Sequence, residues 1–92
     1  MFEARDELTV INRLGLHLRP AQQVVQTVLR YRSEVHFIKD GQRINAKSIM
    51  GLLTLAAARG TKIDVICEGE DADAALAAVR NLFNSGFGEE ER

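Results

Sequence analysis

The fold is decided by residues 7–30, ELTVINRLGLHLRPAQQVVQTVLR. Their first five residues alternate in polarity, with Leu8 and Val10 on one face, and this pattern predicts a β-strand. A loop is expected over residues 12–15. After it, apolar residues recur at i, i+3, i+4, i+7 and i+8, which predicts a helix from about residue 18 to residue 30. A strand, a loop ending in Gly15 and a helix N-terminus therefore follow one another.

Three more strands are predicted further along the chain. Residues 34–38 and 43–46 are β-prone and flank an Asp40-Gly41 pair. Asp-Gly between two such runs is a strong signal for a β-hairpin. Residues 62–68 alternate in polarity again, which predicts the last strand.

Two more helices complete the predicted order. The second begins at Ser48, a suitable N-cap, and is expected to end by Gly60. The third begins after Asp71 or Asp73. The order β-α-β-β-α-β-α, with one apolar stripe per helix, predicts an α+β open-faced β-sandwich. In this fold, three helices cover one face of a four-stranded antiparallel sheet, and the other face meets water.

A chain of 92 residues is expected to form a single domain over residues 1–92. Residues 85–92 lack periodicity and are predicted to be a frayed tail. One cysteine cannot form an internal disulfide, and no Cys/His cluster has zinc spacing. We therefore expect neither a metal site nor a cofactor. No apolar run approaches a membrane span, and the N-terminus lacks a signal-peptide pattern, so a cytoplasmic protein is expected.

The charge is nearly balanced overall but uneven along the chain. Residues 1–62 hold ten Lys or Arg and five Asp or Glu, a balance of +5. Residues 63–92 hold two basic and eight acidic residues, a balance of −6. The net charge of −1 argues against a wholly basic nucleic-acid binder. The acidic part lies away from His17, Arg19 and Lys47 in sequence, so the uneven distribution predicts a one-sided positive surface that steers acidic partners to the histidine.

His17 is the main candidate for chemistry, because it falls at or beside the predicted helix N-cap. Pro20 then lies in the first turn, where its missing N–H removes a donor that had no intrahelical partner. The field of the helix N-terminus favours a neutral, nucleophilic imidazole. Free backbone N–H groups and Arg19 could then receive phosphate oxygens. The pattern is compatible with a phosphoryl acceptor and also with a plain polar cap.

The segment GLHLRPA, residues 15–21, resembles the active-site signature of HPr, the histidine-containing phosphocarrier family of the bacterial phosphoenolpyruvate-dependent phosphotransferase system. The resemblance extends from about residue 6 to residue 84. It implies that His17 accepts a phosphoryl group on Nδ1 from Enzyme I and passes it to an EIIA domain. It also implies that Arg19 supports the phosphate and that the protein is a carrier without turnover of its own.

A second segment, NAKSIMG over residues 45–51, resembles the regulatory-serine segment of the same family. The resemblance implies that an HPr kinase/phosphorylase modifies Ser48. A plain N-cap serine is the simpler interpretation from the residues alone. The C-terminal segment is more similar to the nitrogen-related NPr branch, so the chain has features of two subgroups.

The second helix is apolar nearly all round, which predicts a partner-docking patch. Its centre is Ile49, Met50 and Leu53. The resemblance adds the neighbouring positions that meet partners in the family, namely Leu18, Gln22, Lys47 and Gly51. Residue 18 is usually small in the family and residue 22 is often Ala or Thr, so Leu18 and Gln22 depart from the pattern.

Two other functions remain open from the sequence. One is a regulatory binding module, in which phosphorylation of Ser48 controls docking to a kinase or transcription factor. The other is a small nucleic-acid binder that uses the basic first two-thirds of the chain. The absence of a GxxG motif and the low aromatic content, with no Trp, argue against the second. No nucleic-acid or membrane partner is therefore expected.

Overall fold

A computed structural model describes residues 2–89. The elements follow the order β-α-β-β-α-β-α, with a final 3₁₀ turn over Gly86–Gly88. Their bounds are β1 (Glu3–Thr9), α1 (Leu18–Val28), β2 (Glu34–Lys39), β3 (Gln42–Asn45), α2 (Ile49–Thr54), β4 (Lys62–Glu68) and α3 (Ala72–Asn84). The predicted fold class is confirmed.

The four strands form one sheet in the order β1-β4-β2-β3, and every neighbouring pair is antiparallel. The β2–β3 hairpin turns at Asp40 and Gly41, which both have positive φ, 50° and 79°. Two successive residues of positive φ make the tight turn that matches the twist of paired strands. The Asp-Gly signal therefore predicted the hairpin correctly.

The core lies between the sheet and the helices. Val35, Phe37, Ile63 and Val65 project from the central strands and are fully buried. The Phe83 ring on α3 packs edge-on against Phe37, with ring centroids 5.7 Å apart. The covered face of the sheet thus fixes the position of α3, as the single apolar stripe of that helix predicts.

Helix α2 is shorter than the sequence suggests. It ends at Thr54, and Ala56 takes a positive φ of 49°, the conformation in which a helix commonly terminates. The ammonium group of Lys39 donates to the carbonyl of Leu55 at 2.9 Å and to that of Ala56 at 3.5 Å. The predicted end at Gly60 was wrong because this tertiary contact satisfies the carbonyls earlier.

The C-terminal segment is packed, so the predicted frayed tail over residues 85–92 was wrong for residues 85–89. Phe87 is 1% exposed, and its ring centroid lies 5.0 Å from that of Phe83. Burial of an aromatic side chain outweighs the lack of periodicity in this short segment. Residues 90–92 lie outside the described residues.

Asp71 occupies the N-cap position of α3, but its carboxylate does not cap the helix. It accepts hydrogen bonds from the backbone N–H groups of Arg32 and Ser33, both at 2.9 Å, and from the Ser33 hydroxyl. The Ser33 hydroxyl and the Arg32 N–H hold the pKa of Asp71 below its ordinary value. The carboxylate therefore fixes the connection between α1 and β2.

No helix within residues 2–89 is long and apolar enough to cross a membrane.

Replacing Phe87 with Ala tests whether the C-terminal segment belongs to the core. The substitution removes a buried ring, so we expect the free energy of unfolding to fall by about 3–5 kcal/mol. Phe2→Ala is the control, because Phe2 is 66% exposed, and it should change stability by less than about 0.5 kcal/mol. Urea unfolding measures both. Equal effects of the two substitutions would contradict a packed C-terminal segment.

Candidate functional site

His17 is the N-cap of α1, as predicted. Its backbone is extended (φ −82°, ψ −168°), and its carbonyl accepts a hydrogen bond from the N–H of Ala21 at 3.0 Å. Its side chain makes no capping hydrogen bond and is 34% exposed. The imidazole is thus held at a helix start and is accessible from outside.

The loop that carries His17 is held against the segment that follows α2. The N–H of Leu16 donates to the carbonyl of Ala57 at 2.8 Å, and the Leu16 side chain is buried. Gly15 has a positive φ of 72°, and a Cβ there would lie 2.5 Å from the Ala57 carbonyl oxygen. Only glycine permits this approach without displacing one of the two segments.

The first turn of α1 offers donors beside the imidazole. The first N–H groups of a helix have no intrahelical acceptor, and here they belong to Leu18 and Arg19. Pro20 follows in the same turn, is buried and has no N–H to satisfy. The Arg19 side chain is exposed. This turn therefore presents backbone donors next to His17.

Glu89 is a site residue that the sequence did not indicate. Its carboxylate Oε2 lies 2.7 Å from His17 Nε2, and its Oε1 accepts a hydrogen bond from Asn12 Nδ2 at 2.7 Å. The acidic part of the chain lies away from the histidine in sequence, but the fold brings Glu89 of that part to the imidazole. The one available signal was Phe87, an apolar residue two positions earlier that could anchor the segment.

Asn12 connects this carboxylate with the histidine loop. It is fully buried, and its Nδ2 also donates to the Gly15 carbonyl at 2.7 Å. Desolvation raises the pKa of Glu89. The hydrogen bonds from Asn12 and His17 and the charges of His17 and Arg19 outweigh that effect, so the pKa lies below its ordinary value. Glu89 is therefore ionised at neutral pH.

An open concavity of about 310 Å³ lies beside His17. Besides His17, it is lined by Leu14, Leu16 and Leu53 and by the three alanines at 56–58. The structure thus brings Leu53 of the predicted docking patch next to the imidazole. Leu14 is 62% exposed, although the sequence did not mark it as a partner residue.

The other predicted docking residues differ in exposure. Met50 is 72% exposed and Leu18 53%, and Gln22 is also exposed. Ile49 and Leu53 are half-buried and pack against the core, so they contribute less to an outer surface than the sequence suggests. The short α2 has a covered side, which explains the difference.

Ser48 is the N-cap of α2, as predicted. Its hydroxyl accepts a hydrogen bond from the N–H of Gly51 at 3.0 Å. Lys47, just before it, donates its backbone N–H to Asn45 Oδ1 at 2.8 Å. All three residues from Lys47 to Ile49 are half-buried, so the Ser48 hydroxyl occupies a formed turn rather than a loose loop.

Two further observations concern chemistry outside the His17 site. Within residues 2–89, no cluster of three or more His, Cys, Asp or Glu residues could hold a metal ion. Cys67 is buried, and desolvation together with the charge of Asp71 raises the pKa of its thiol to about 11. The thiol therefore stays protonated near neutral pH and is a poor nucleophile.

Known proteins of one family are similar to this chain in sequence and in fold. A family model described as the PTS HPr component phosphorylation site matches residues 4–85. Phosphocarrier protein HPr of Treponema pallidum is 44% identical over 81 residues, which cover 88% of this chain and 92% of that protein. HPr-like protein Crh of Bacillus subtilis is 48% identical over 64 residues, 70% of this chain and 75% of that protein. A crystal structure of HPr from Thermoanaerobacter tengcongensis has a TM-score of 0.88 at 38% identity, covering 99% of this chain and all of that one.

Gly15→Ala tests the contact that positions the histidine loop. The new Cβ would collide with the Ala57 carbonyl in addition to straining the positive φ, and such overpacking costs about 1–3 kcal/mol. Gly60→Ala is a matched control, because Gly60 also has a positive φ but no atom within 4 Å of the added Cβ. In urea unfolding, we expect the free energy of unfolding of Gly15→Ala to be lower than that of Gly60→Ala by about 1–3 kcal/mol. Equal stabilities would contradict the tight contact.

Proposed function

This chain belongs to the HPr family of phosphocarrier components of the phosphotransferase system, and from that premise we propose that its phosphoryl acceptor is His17. We further propose that phospho-Enzyme I is the donor and that an EIIA domain receives the group. The family role is that of a carrier. His17 would hold the phosphoryl group between two partners, and the protein would have no turnover of its own.

One observation carries the assignment to His17. The imidazole is partly exposed at the N-cap of an eleven-residue helix, beside a concavity lined by apolar residues. Partner access and a nearby set of backbone donors are the two conditions that a phosphohistidine relay requires. The other histidine, His36, lies in the middle of β2, and the side chain that contacts it is Arg43.

The neighbouring residues have distinct parts in the proposed transfer. Arg19 is exposed and follows His17 by two residues, and we propose that it neutralises the phosphoryl oxygens once they arrive. Pro20 fixes φ in the first turn of α1 and so keeps the donors in place before any partner binds. No cofactor or metal ion enters the step, since the imidazole lone pair itself attacks phosphorus.

The surface around the site fits partner proteins. Leu14, Leu18 and Met50 are each more than half exposed, and exposed apolar groups of this size are typical of docking surfaces. We propose that Enzyme I and EIIA dock on these three residues. The proposed docking surface also includes the neighbouring residues Gln22, Lys47, Ile49, Gly51 and Leu53. We propose that this relay operates in the cytoplasm and has no nucleic-acid or membrane partner.

Labelling with phosphoenolpyruvate tests the acceptor directly. Incubation with Enzyme I should add one phosphate per chain, and the adduct should be acid-labile because phosphorus is bonded to nitrogen. His17→Ala should abolish the labelling, whereas His36→Ala, the matched control, should retain it. Wild-type labelling of the His17→Ala variant would refute the assignment.

A second candidate function is a regulatory binding module. The similarity to the HPr-like protein Crh supports it, as does the Ser48 hydroxyl at the start of α2. A phosphate on Ser48, added by an HPr kinase/phosphorylase, would place a dianion beside the docking surface and repel acidic partners. Mass spectrometry of protein isolated from cells separates the two functions. Phosphate on Ser48 and never on His17 would favour regulation over transport.

A further inference from the structure

The contact between Glu89 and His17 is a built feature of the fold. Both oxygens of the carboxylate are used, one by His17 Nε2 and one by Asn12 Nδ2, each at 2.7 Å. The Glu89 side chain is 15% exposed, so it lies largely against protein. A surface glutamate that met the ring by chance would not engage both oxygens with separate donors.

The backbone before Glu89 is also fixed. Phe87 is buried against Phe83, and the N–H groups of Gly88 and Glu89 donate to the carbonyls of Ser85 and Gly86, both at 3.1 Å. Asn12 donates at the same time to Glu89 and to Gly15, which precedes the histidine. The carboxylate and the histidine loop are therefore held by the same buried amide.

The chemistry of a carboxylate decides where the imidazole carries its hydrogen. An ionised carboxylate can only accept hydrogen bonds. At 2.7 Å from it, Nε2 of His17 must be the donor and must carry a hydrogen. A neutral imidazole has one N–H, so its lone pair then belongs to Nδ1.

We propose that Glu89 is a positioning residue for phosphoryl transfer: it holds the hydrogen on Nε2 of His17 and so presents Nδ1 as the nucleophile. This inference rests on the proposed function. In the transfer, the Nδ1 lone pair forms the bond to phosphorus, the bond between phosphorus and the donor breaks, and the donor keeps that electron pair. The ring retains its Nε2 hydrogen and gains a positive charge, which the Glu89 carboxylate faces directly and stabilises.

The test compares Glu89→Ala with Glu70→Ala in the full chain. Glu70 is exposed and follows β4 at the end of the sheet remote from the histidine loop. Glu70→Ala therefore changes the net charge by the same amount as Glu89→Ala, but away from His17. Two quantities are measured: the rate of phosphorylation by phosphoenolpyruvate and Enzyme I, and the ¹⁵N spectrum of the His17 ring. The spectrum is recorded at a pH high enough that the ring is neutral and its signals no longer change with pH.

We expect the wild type and the Glu70→Ala variant to show an Nε2–H that is protected from exchange with water. We also expect the two proteins to be phosphorylated at equal rates. Glu89→Ala should lose that protection and be phosphorylated roughly tenfold more slowly, as expected for loss of a hydrogen bond to a charged group. A merely structural role of Glu89 would not change the ring spectrum.

Other results would overturn the inference. A wild-type ring that carries its hydrogen on Nδ1 would do so, and so would a Glu89→Ala variant phosphorylated at the wild-type rate or faster. In both cases labelling of wild-type His17 would leave the proposed function intact. A wild type that takes no phosphate on His17 would refute the proposed function itself, and with it the role of Glu89.

Discussion

The hydrogen bond from the Leu16 N–H to the Ala57 carbonyl, 2.8 Å long, is the contact on which the site depends. It joins the loop after β1 to the segment after α2. The two segments are so close there that position 15 has no room for a side chain. This contact holds the loop that leads into α1, which begins after the N-cap His17. The concavity beside the imidazole is lined mainly by the same two segments, so the imidazole and its surroundings are positioned together.

Local sequence signals predicted those parts of the molecule that local physics controls. The Asp40-Gly41 turn has intrinsic positive-φ preferences, and the apolar spacing of α1 selects one buried face. The N-cap position of His17 could be predicted because Pro20 restricts where the helix begins. The phosphoryl-acceptor role of His17 came partly from its position at a helix start and partly from the family resemblance. It remains a prediction.

Features that depend on distant partners could not be predicted in the same way. Helix α2 ends early because Lys39, from β2, binds the carbonyls of Leu55 and Ala56. Asp71 serves the α1–β2 connection instead of its own helix. Glu89 reaches His17 across a separation of 72 residues because Phe87 is buried in the core. No periodicity in the chain encodes any of these three contacts.

The uneven charge distribution acquires a specific meaning from the last of these contacts. The basic part of the chain supplies Arg19, two residues after His17, and the acidic part supplies Glu89, which contacts Nε2 of the ring. The proposed phosphoryl relay would use both signs, because the group carried is an anion and a phosphorylated imidazole is a cation. Packing of the C-terminal segment therefore links the stability of the core to the chemistry of the site.

Phosphorus–nitrogen coupling in the phosphorylated, ¹⁵N-labelled protein is the measurement that tests this account most directly. We predict that phosphorus couples to Nδ1 of His17 while Nε2 still carries its hydrogen. Coupling to Nε2, or transfer of the Enzyme I phosphate to a residue other than His17, would contradict this prediction.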